Sequence, residues 1–426
     1  MKRRTFLEKA SLASAMVSTT KYIPGLFQDQ KIKVGLIGCG WYGMVISEAA
    51  LEVGGVEIIA VCDVDSKHLQ DSIDRLEQIQ GTRPRAFTDY RELIDMQGME
   101  AIFIGTPPHW HALQFIAACE KGLDIYCEKP LSYDVKEGLA MVKAAKKAGN
   151  YVQIGFQRRK TEAYHRVQEM IAEGRIGKIH EVGAQIHYNP GLKDHLPQTP
   201  PSTLDWDSWC GPAPMLPYSP NIGHKSWRLE KEYGNGHLVD WGIHHIDTIR
   251  MILALDMPER FEVHGDMRKL KGKITTPDTL RASMFFDMCP VIWQHRLWGT
   301  GGFDKKFNNG IFFYGEEGTI FTSDRQLMVM PNAKDAEVEE HEVSAKTIRQ
   351  DMMADFISAV QQQDKALISG PVDDAFKSTA TVQLAMISYY TGSDVHWDAQ
   401  KHEVVGNPAA NKLLARPYRK GYNRPG

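Results

Sequence analysis

The sequence offers little to a disulfide framework, a bilayer or a polyanion. Its six cysteines show no framework spacing. Cys39 lies in a glycine turn, Cys62 and Cys127 at strand ends, and Cys119 in a helical run, so buried free thiols are expected. Fifty basic residues stand against 53 acidic ones, a formal net charge of −3. That balance removes the electrostatic case for nucleic acid. No stretch reaches the ~20 apolar residues a membrane-spanning helix needs, so no membrane insertion is expected. There is no internal repeat, no low-complexity segment, and no Cys-rich or His-x-Glu pattern to hold a metal. What is present is length: 426 residues exceed one ordinary core and imply two domains.

The chain is organised around Lys33-Val34-Gly35-Leu36-Ile37-Gly38-Cys39-Gly40-Trp41-Tyr42-Gly43. The run Val34 to Ile37 lacks the alternation of a half-exposed strand and reads as a buried parallel one. It passes through Gly38-x-Gly40-x-x-Gly43 into a helical run from Met44. Gly38 permits a tight turn, Gly40 lets the backbone approach a pyrophosphate, and Gly43 lets helix and strand pack closely. The exposed amides and dipole at that helix start favour a phosphate. A second buried strand, Val56 to Cys62, ends at Asp63, twenty residues beyond Gly43. That spacing suits a carboxylate that reaches an adenosine ribose hydroxyl and disfavours a 2′-phosphate. NAD is therefore expected. Lys67, one turn away, softens the preference and keeps NADP open.

Strands and helices alternate from Ile32 to about Gln157, the grammar of a doubly wound α/β sheet. Polar clusters fall at the carboxyl ends of strands, where such sheets bind ligands. They are Thr106-Pro107-Pro108-His109 after Ala101–Ile104, Glu128-Lys129-Pro130 after Asp124–Cys127, and Gln157-Arg158 after Tyr151–Phe156. Proline after two of the strands fixes the backbone and aims its neighbours.

Composition then changes. A strand, Ile179–Tyr188, precedes an irregular stretch from Asn189 to about Gly236, dense in Pro and Trp. Loops of this length are functional or disordered, and tryptophan density argues for a folded flap whose rings stack on sugars or simply pack. Next comes Gly234-Asn235-Gly236-His237-Leu238-Val239-Asp240-Trp241-Gly242-Ile243-His244-His245. A helix from Val239 would put Asp240 and His244 at i and i+4 on one face, so that the carboxylate orients the imidazole as a general base. His245 lies about 100° further round. Beyond Leu255, β-rich runs with short connections imply an antiparallel open sheet. Helices near Ile348–Gln361 and Asp373–Tyr390 return to brace the first domain. The basic tail around Arg416-Pro417-Tyr418-Arg419-Lys420 reads as a solvated end packed over the surface.

At the other terminus, Lys2-Arg3-Arg4-Thr5-Phe6-Leu7 closely resembles a twin-arginine export signal, followed by a short apolar run. Such export moves folded proteins, so a periplasmic location is expected.

Taken together, the Asp-bearing Rossmann unit, Thr-Pro-Pro-His, Glu-Lys-Pro and Asp-x-Gly-x-His resemble the Gfo/Idh/MocA family of sugar and polyol oxidoreductases from about Lys33 onward. The resemblance implies a Rossmann domain followed by an α+β domain with a large, mostly antiparallel open sheet. The expected division is a signal and linker at 1–30, an NAD-binding domain at 31–157, a substrate-binding and oligomerisation domain at 158–350, and helices and tail at 351–426, with a helix near 372–391 bracing the first domain. By the resemblance Gly38, Gly40, Gly43, Asp63, Thr106, Pro107, His109 and Glu128 line the dinucleotide, with Trp41, Tyr42 and Gln157 beside them. Lys129 sits where nicotinamide ribose meets substrate. Lys129, Asp240 and His244 form the catalytic group. Arg158, Trp227, Arg228 and His245 are candidate substrate contacts. The implied reaction is hydride transfer between a sugar-like hydroxyl and NAD, in a homo-oligomer joined through the sheet. NAD-dependent glycoside hydrolysis, with Tyr188, Tyr218 or Tyr233 as acid or base, and a non-catalytic sugar sensor are the alternatives.

Overall fold

The computed structural model describes residues 27–223 and 226–426; the twin-arginine stretch lies outside the described residues. Strand β1 (Phe27–Ile37) leads into helix α1 (Trp41–Val53), then β2 (Gly54–Cys62), α2 (Ser66–Gln80), β3 (Arg85–Phe87), α3 (Tyr90–Ile94) and β4 (Ala101–Ile104). Helix α4 (Pro108–Glu120), β5 (Asp124–Glu128), α5 (Val135–Ala148) and β6 (Val152–Gly155) complete the unit. The six strands form one parallel sheet in the order β3-β2-β1-β4-β5-β6. All four residues of β4 and all four of β6 are buried, as continuous apolar strands between helical layers require.

The order reverses between β1 and β4, and the glycine turn sits at that switch. Gly38 has φ +90°, and a Cβ there would meet the Thr106 main-chain nitrogen at 2.8 Å. A Cβ at Gly43 would collide with the Gly38 carbonyl. Both positions therefore require glycine.

After a 3₁₀ turn at Gln157–Lys160 the second unit begins with α6 (Glu162–Ala172) and β7 (Ile179–Ile186). A long segment holding the short helix α7 (Trp206–Cys210) follows, then a π-helical turn (Leu238–Gly242) that runs into α8 (Ile243–Leu253). Strands β8 (Arg260–Asp266), β9 (Thr279–Phe285), β10 (Pro290–Arg296), β11 (Asn309–Gly315), β12 (Gly318–Ser323), β13 (Gln326–Pro331) and β14 (Glu339–His341) build the large sheet. Helices α9 (Ile348–Gln362) and α10 (Val372–Thr391) precede β15 (Val395–Asp398), β16 (Glu403–Val404) and α11 (Pro408–Leu413). The ten-stranded order is β14-β13-β12-β11-β7-β10-β9-β8-β15-β16. Only β7 and β10 pair in parallel.

The returning helices brace the first unit. In α9 the Met352 carbonyl accepts from the Gln153 amide of β6 at 2.5 Å. In α10 Thr379 Oγ1 accepts from the Leu131 amide at 3.1 Å, and Gln383 donates to the Ser132 carbonyl at 2.8 Å. Beneath them, the buried Arg159 pairs with the buried Asp247 and with the partly exposed Asp374. The cysteines in the described residues are buried free thiols, and no described helix is long and apolar enough to cross a membrane.

The Trp- and Pro-rich segment is ordered around its own small core of Leu204, Trp206, Trp209, Cys210, Ala213, Trp227 and Tyr233. Trp206 and Trp209 stack with centroids 4.6 Å apart.

Candidate active site

Helices α2, α3 and α5 each start with an aspartate whose side chain caps a first-turn amide. The N-caps of α1 and α4, Gly40 and Pro107, provide no side-chain cap. Those two uncapped ends border a cavity of about 480 Å³. Uncapped amides with the helix dipole behind them suit an anionic ligand. A Cβ at Gly40 would meet nothing within 4 Å, so the space above that turn is open to a phosphate. Asp63 stands at the end of β2, its carboxylate accepting from the Cys39 amide at 2.7 Å and the Asp65 amide at 2.8 Å. The residues present fit a dinucleotide: amides for the pyrophosphate, a carboxylate for the ribose, and apolar walls from Ile37, Val64 and Pro107.

Gly38, Gly40, Trp41, Tyr42, Asp63, Thr106 and Pro107 line this cavity, and so do Trp227 and Arg228 from the second unit. Thr106 donates to Gln114 at 2.7 Å, and the Gln157 amide donates to the Tyr42 hydroxyl at 2.8 Å. Gly43 serves packing and lies behind the wall. His109 corrects the expectation for its position. It is fully buried, bonds the Trp209 carbonyl at 3.0 Å and packs between the Trp209 and Tyr233 rings. Its site on α4 faces the folded flap, so it holds the flap and does not line the cavity. Glu128 is buried, and its Oε1 has no hydrogen-bond partner among the described residues. Burial pushes its carboxyl up to about 8, against the opposing pull of Lys129.

Lys129, at the end of β5, crosses to the second unit. Its ammonium donates to the Asp240 carboxylate at 3.1 Å and the Asp240 carbonyl at 2.8 Å. Arg228 donates to the same carboxylate at 3.2 Å. Burial raises the Asp240 carboxyl, but Lys129 and Arg228 outweigh it and the net shift is downward, so the group stays ionised.

This geometry corrects the expected Asp240–His244 pair. Asp240 bonds Lys129 and Arg228 rather than the imidazole. A carboxylate offered two cations takes those charge-assisted bonds over one to a neutral ring. The π turn also displaces Asp240 from the continuous α-helical phase assumed from Val239. His244 is buried and its Nδ1 has no partner among the described residues. Burial, then the charges of Lys129 and Arg158, hold its pKa well below the usual histidine value. It is therefore neutral, with a free lone pair.

Arg158 pairs with Asp324 at 3.1 Å and lies over the Trp241 ring, with its charge felt at both His244 and His245. His245 does not reach the cavity. It is fully buried and bonds Asn309 at 3.0 Å, so as a direct substrate contact it is corrected. Of the three flap tyrosines, Tyr233 is consumed in the flap core, bonding Leu216 and Pro214. Tyr218 packs on Trp206. Only Tyr188 is close enough for the charges of Asp240 and Arg228 to act on it. Gln114, Trp110 and Tyr422 also line the cavity and Asp324 holds Arg158, yet no local motif marks them, because tertiary packing brings these side chains to the site.

The fold and site define a dinucleotide-binding α/β protein with a cleft between a Rossmann unit and an open-sheet unit. Residues 32–156 match the oxidoreductase family NAD-binding Rossmann fold, and residues 178–424 match the oxidoreductase family C-terminal alpha/beta domain. The chain belongs to the Gfo/Idh/MocA family. It is 31% identical over 160 residues to an inositol 2-dehydrogenase of Salmonella typhimurium, covering 37% of this chain and 46% of that protein. It is 29% identical over 205 residues to an inositol 2-dehydrogenase/D-chiro-inositol 3-dehydrogenase of Lactiplantibacillus plantarum, covering 48% and 54%. The chain thus spans about half the length of the curated relatives it matches. Among solved structures, a levoglucosan dehydrogenase in complex with NADH and levoglucosan superposes with TM-score 0.67 at 20% identity, covering 86% of this chain and 99% of that one. An aldose-aldose oxidoreductase from Caulobacter crescentus gives 0.66 at 16%, covering 86% and 100%.

Proposed function

We propose that this protein is a periplasmic, NAD-dependent oxidoreductase that moves a hydride between a secondary hydroxyl of a sugar or polyol and a nicotinamide cofactor that stays bound between turnovers. The observation that carries this reading is the bond of Lys129 from the Rossmann unit to Asp240 from the other, with the Lys129 charge also felt at His244 and Arg228 joining the group to the cavity. The dehydrogenase names of the relatives support it. The bound nicotinamide supplies the hydride acceptor or donor. Asp240 fixes the Lys129 ammonium so that it donates to the reacting oxygen. His244, kept neutral by its surroundings, takes the hydroxyl proton on a ring nitrogen as the alcohol is oxidised and returns it in reduction. Trp227 and the flap exclude water from this space.

A screen of mono- and disaccharides against the purified holoprotein, read by mass spectrometry, tests the reading. The expected product is a ketosugar with reduction of bound NAD, and Lys129→Ala lowers turnover by roughly 10²–10⁴-fold. No change in cofactor redox state with any sugar would refute it. Periplasmic residence rests on Lys2-Arg3-Arg4 and is checked by fractionation, with Arg3→Lys/Arg4→Lys expected to retain the protein in the cytoplasm. Assembly through the sheet is supported by the half-exposed Tyr314, whose ring stacks on Phe312, and sedimentation reads it. Glycoside cleavage through transient oxidation is the second reading, favoured by Tyr188 near Asp240 and Arg228. Free sugar released without net NADH distinguishes it.

A further inference from the structure

The basic C-terminal tail is pinned to the protein surface through its arginines. It crosses from the first turn of α5, over the start of α4, to the end of α7, joining both walls of the dinucleotide cavity. Arg424 grips both Asp134 oxygens, at 2.9 and 2.5 Å. The Arg416 amide donates to Asp134 at 2.9 Å, while its guanidinium donates to the His109 carbonyl at 3.0 Å and the Glu232 carbonyl at 3.3 Å. Arg416 thus bonds the Rossmann helix α4 and the flap with one side chain. Arg419 closes the other end. Its guanidinium donates to the Gly211 carbonyl at 3.0 Å, the Asp207 carbonyl at 2.9 Å and the Asp207 carboxylate at 2.6 Å. Arg419 thus bonds both the first turn of α7, at Asp207, and its C-cap, Gly211.

Between these anchors, Tyr422 stands edge-on against Trp110, centroids 5.6 Å apart, and lines the cavity. The flap itself reaches back to the loop after β2: the Ser66 amide donates to the Thr203 carbonyl at 2.8 Å and the Asp205 amide to the Val64 carbonyl at 3.0 Å. That loop begins at Asp63, the ribose carboxylate. Residues 203–211 thus cover the end of the cavity beside Asp63, as a lid held on one side by main-chain bonds and on the other by the tail.

We propose that residues 416–424 are part of the cofactor site: Tyr422 is a dinucleotide-binding residue, and Arg416 and Arg419 are positioning residues that keep the lid shut and slow cofactor release. This rests on the dehydrogenase reading. It gives that reading a physical basis for a resident cofactor, since the bonds of Arg419 to Asp207 and Gly211 must break before the lid can swing away from the tail.

The test is the rate at which NADH leaves the full-length holoprotein, followed by loss of protein-to-dinucleotide fluorescence transfer after excess NAD is added. Arg419→Ala and Tyr422→Ala should each release NADH about tenfold faster or more, as the loss of charged hydrogen bonds or an aromatic contact predicts. Tyr422→Phe keeps the ring against Trp110 and should stay near the parent rate. Thermal unfolding midpoints should move little, which separates lid opening from general destabilisation. In ligand-free protein, amide hydrogen exchange over 203–211 should quicken in Arg419→Ala. Parent-like release from both alanine variants overturns the tail's role while leaving the dehydrogenase reading intact. A parent protein that binds neither NAD nor NADH overturns both.

Discussion

Replacing Asp240 by asparagine separates two accounts of the catalytic group. The side chain is buried between Lys129, 13% exposed, and Arg228, 27% exposed. Removing one member of a fully buried ion pair costs roughly 3–5 kcal/mol. The residual exposure of the two cations reduces this, so Asp240→Asn should destabilise the ligand-free protein by about 2–3 kcal/mol. A double-mutant cycle assigns the partner. With Lys129→Met, the coupling to Asp240→Asn should be about 1.5–3 kcal/mol, the worth of a charged hydrogen bond. With His244→Ala, the coupling should stay within about 0.5 kcal/mol. Urea unfolding at constant m-value measures both. The reverse pattern, strong coupling to His244 and none to Lys129, would show that the aspartate orients the imidazole after all, and the geometry described above would be wrong.

Three further outcomes follow from the cavity and its surroundings. Gly40→Ala places a methyl in open space at an ordinary φ of −66°, so stability should hold within about 0.5 kcal/mol while NADH affinity, read by titration calorimetry, falls; Gly38→Ala, at φ +90°, should lose more than about 1 kcal/mol of stability. Glu128 has its carboxyl pushed up to about 8 from an ordinary value near 4.5, so the folded chain binds a proton the unfolded chain has released. Its contribution is present at low pH and lost as pH climbs from about 4.5 to about 8, and Glu128→Gln should flatten a few kcal/mol of that slope in the ligand-free protein. The unfolding free energies of parent and variant, compared across that window, decide it. Asp63→Ala should weaken NAD far more than NADP, narrowing any preference, and should also cost about 1–3 kcal/mol by leaving the Cys39 and Asp65 amides without their acceptor.

Local patterns carried the Rossmann unit. The apolar run before Gly38, the three glycines, Asp63 and the strand-end clusters are short-range signals, and the strands lie where those signals put them. The second unit was legible as β-rich runs with short turns. Its ten-strand order and its one parallel pair, β7 with β10, were not, because pairing between distant strands leaves no mark in either one. The tail shows the same limit: Arg416 and Arg419 are ordinary surface residues in sequence, and only the position of Asp134, Asp207 and the end of α7 gives them partners.

The sequence by itself determined the kind of chemistry present: which strand ends carry lysine and carboxylate, which later segment carries the imidazole, and that a phosphate-binding turn opens the chain's first sheet. Tertiary structure alone decided how those groups pair. Asp240 is claimed by cations arriving from 111 residues upstream and 12 residues upstream, His109 is drawn into the flap, and the last residues of the chain close the cavity. Side-chain partnership is settled by which charges and surfaces meet in low dielectric, and that depends on distances no local pattern encodes.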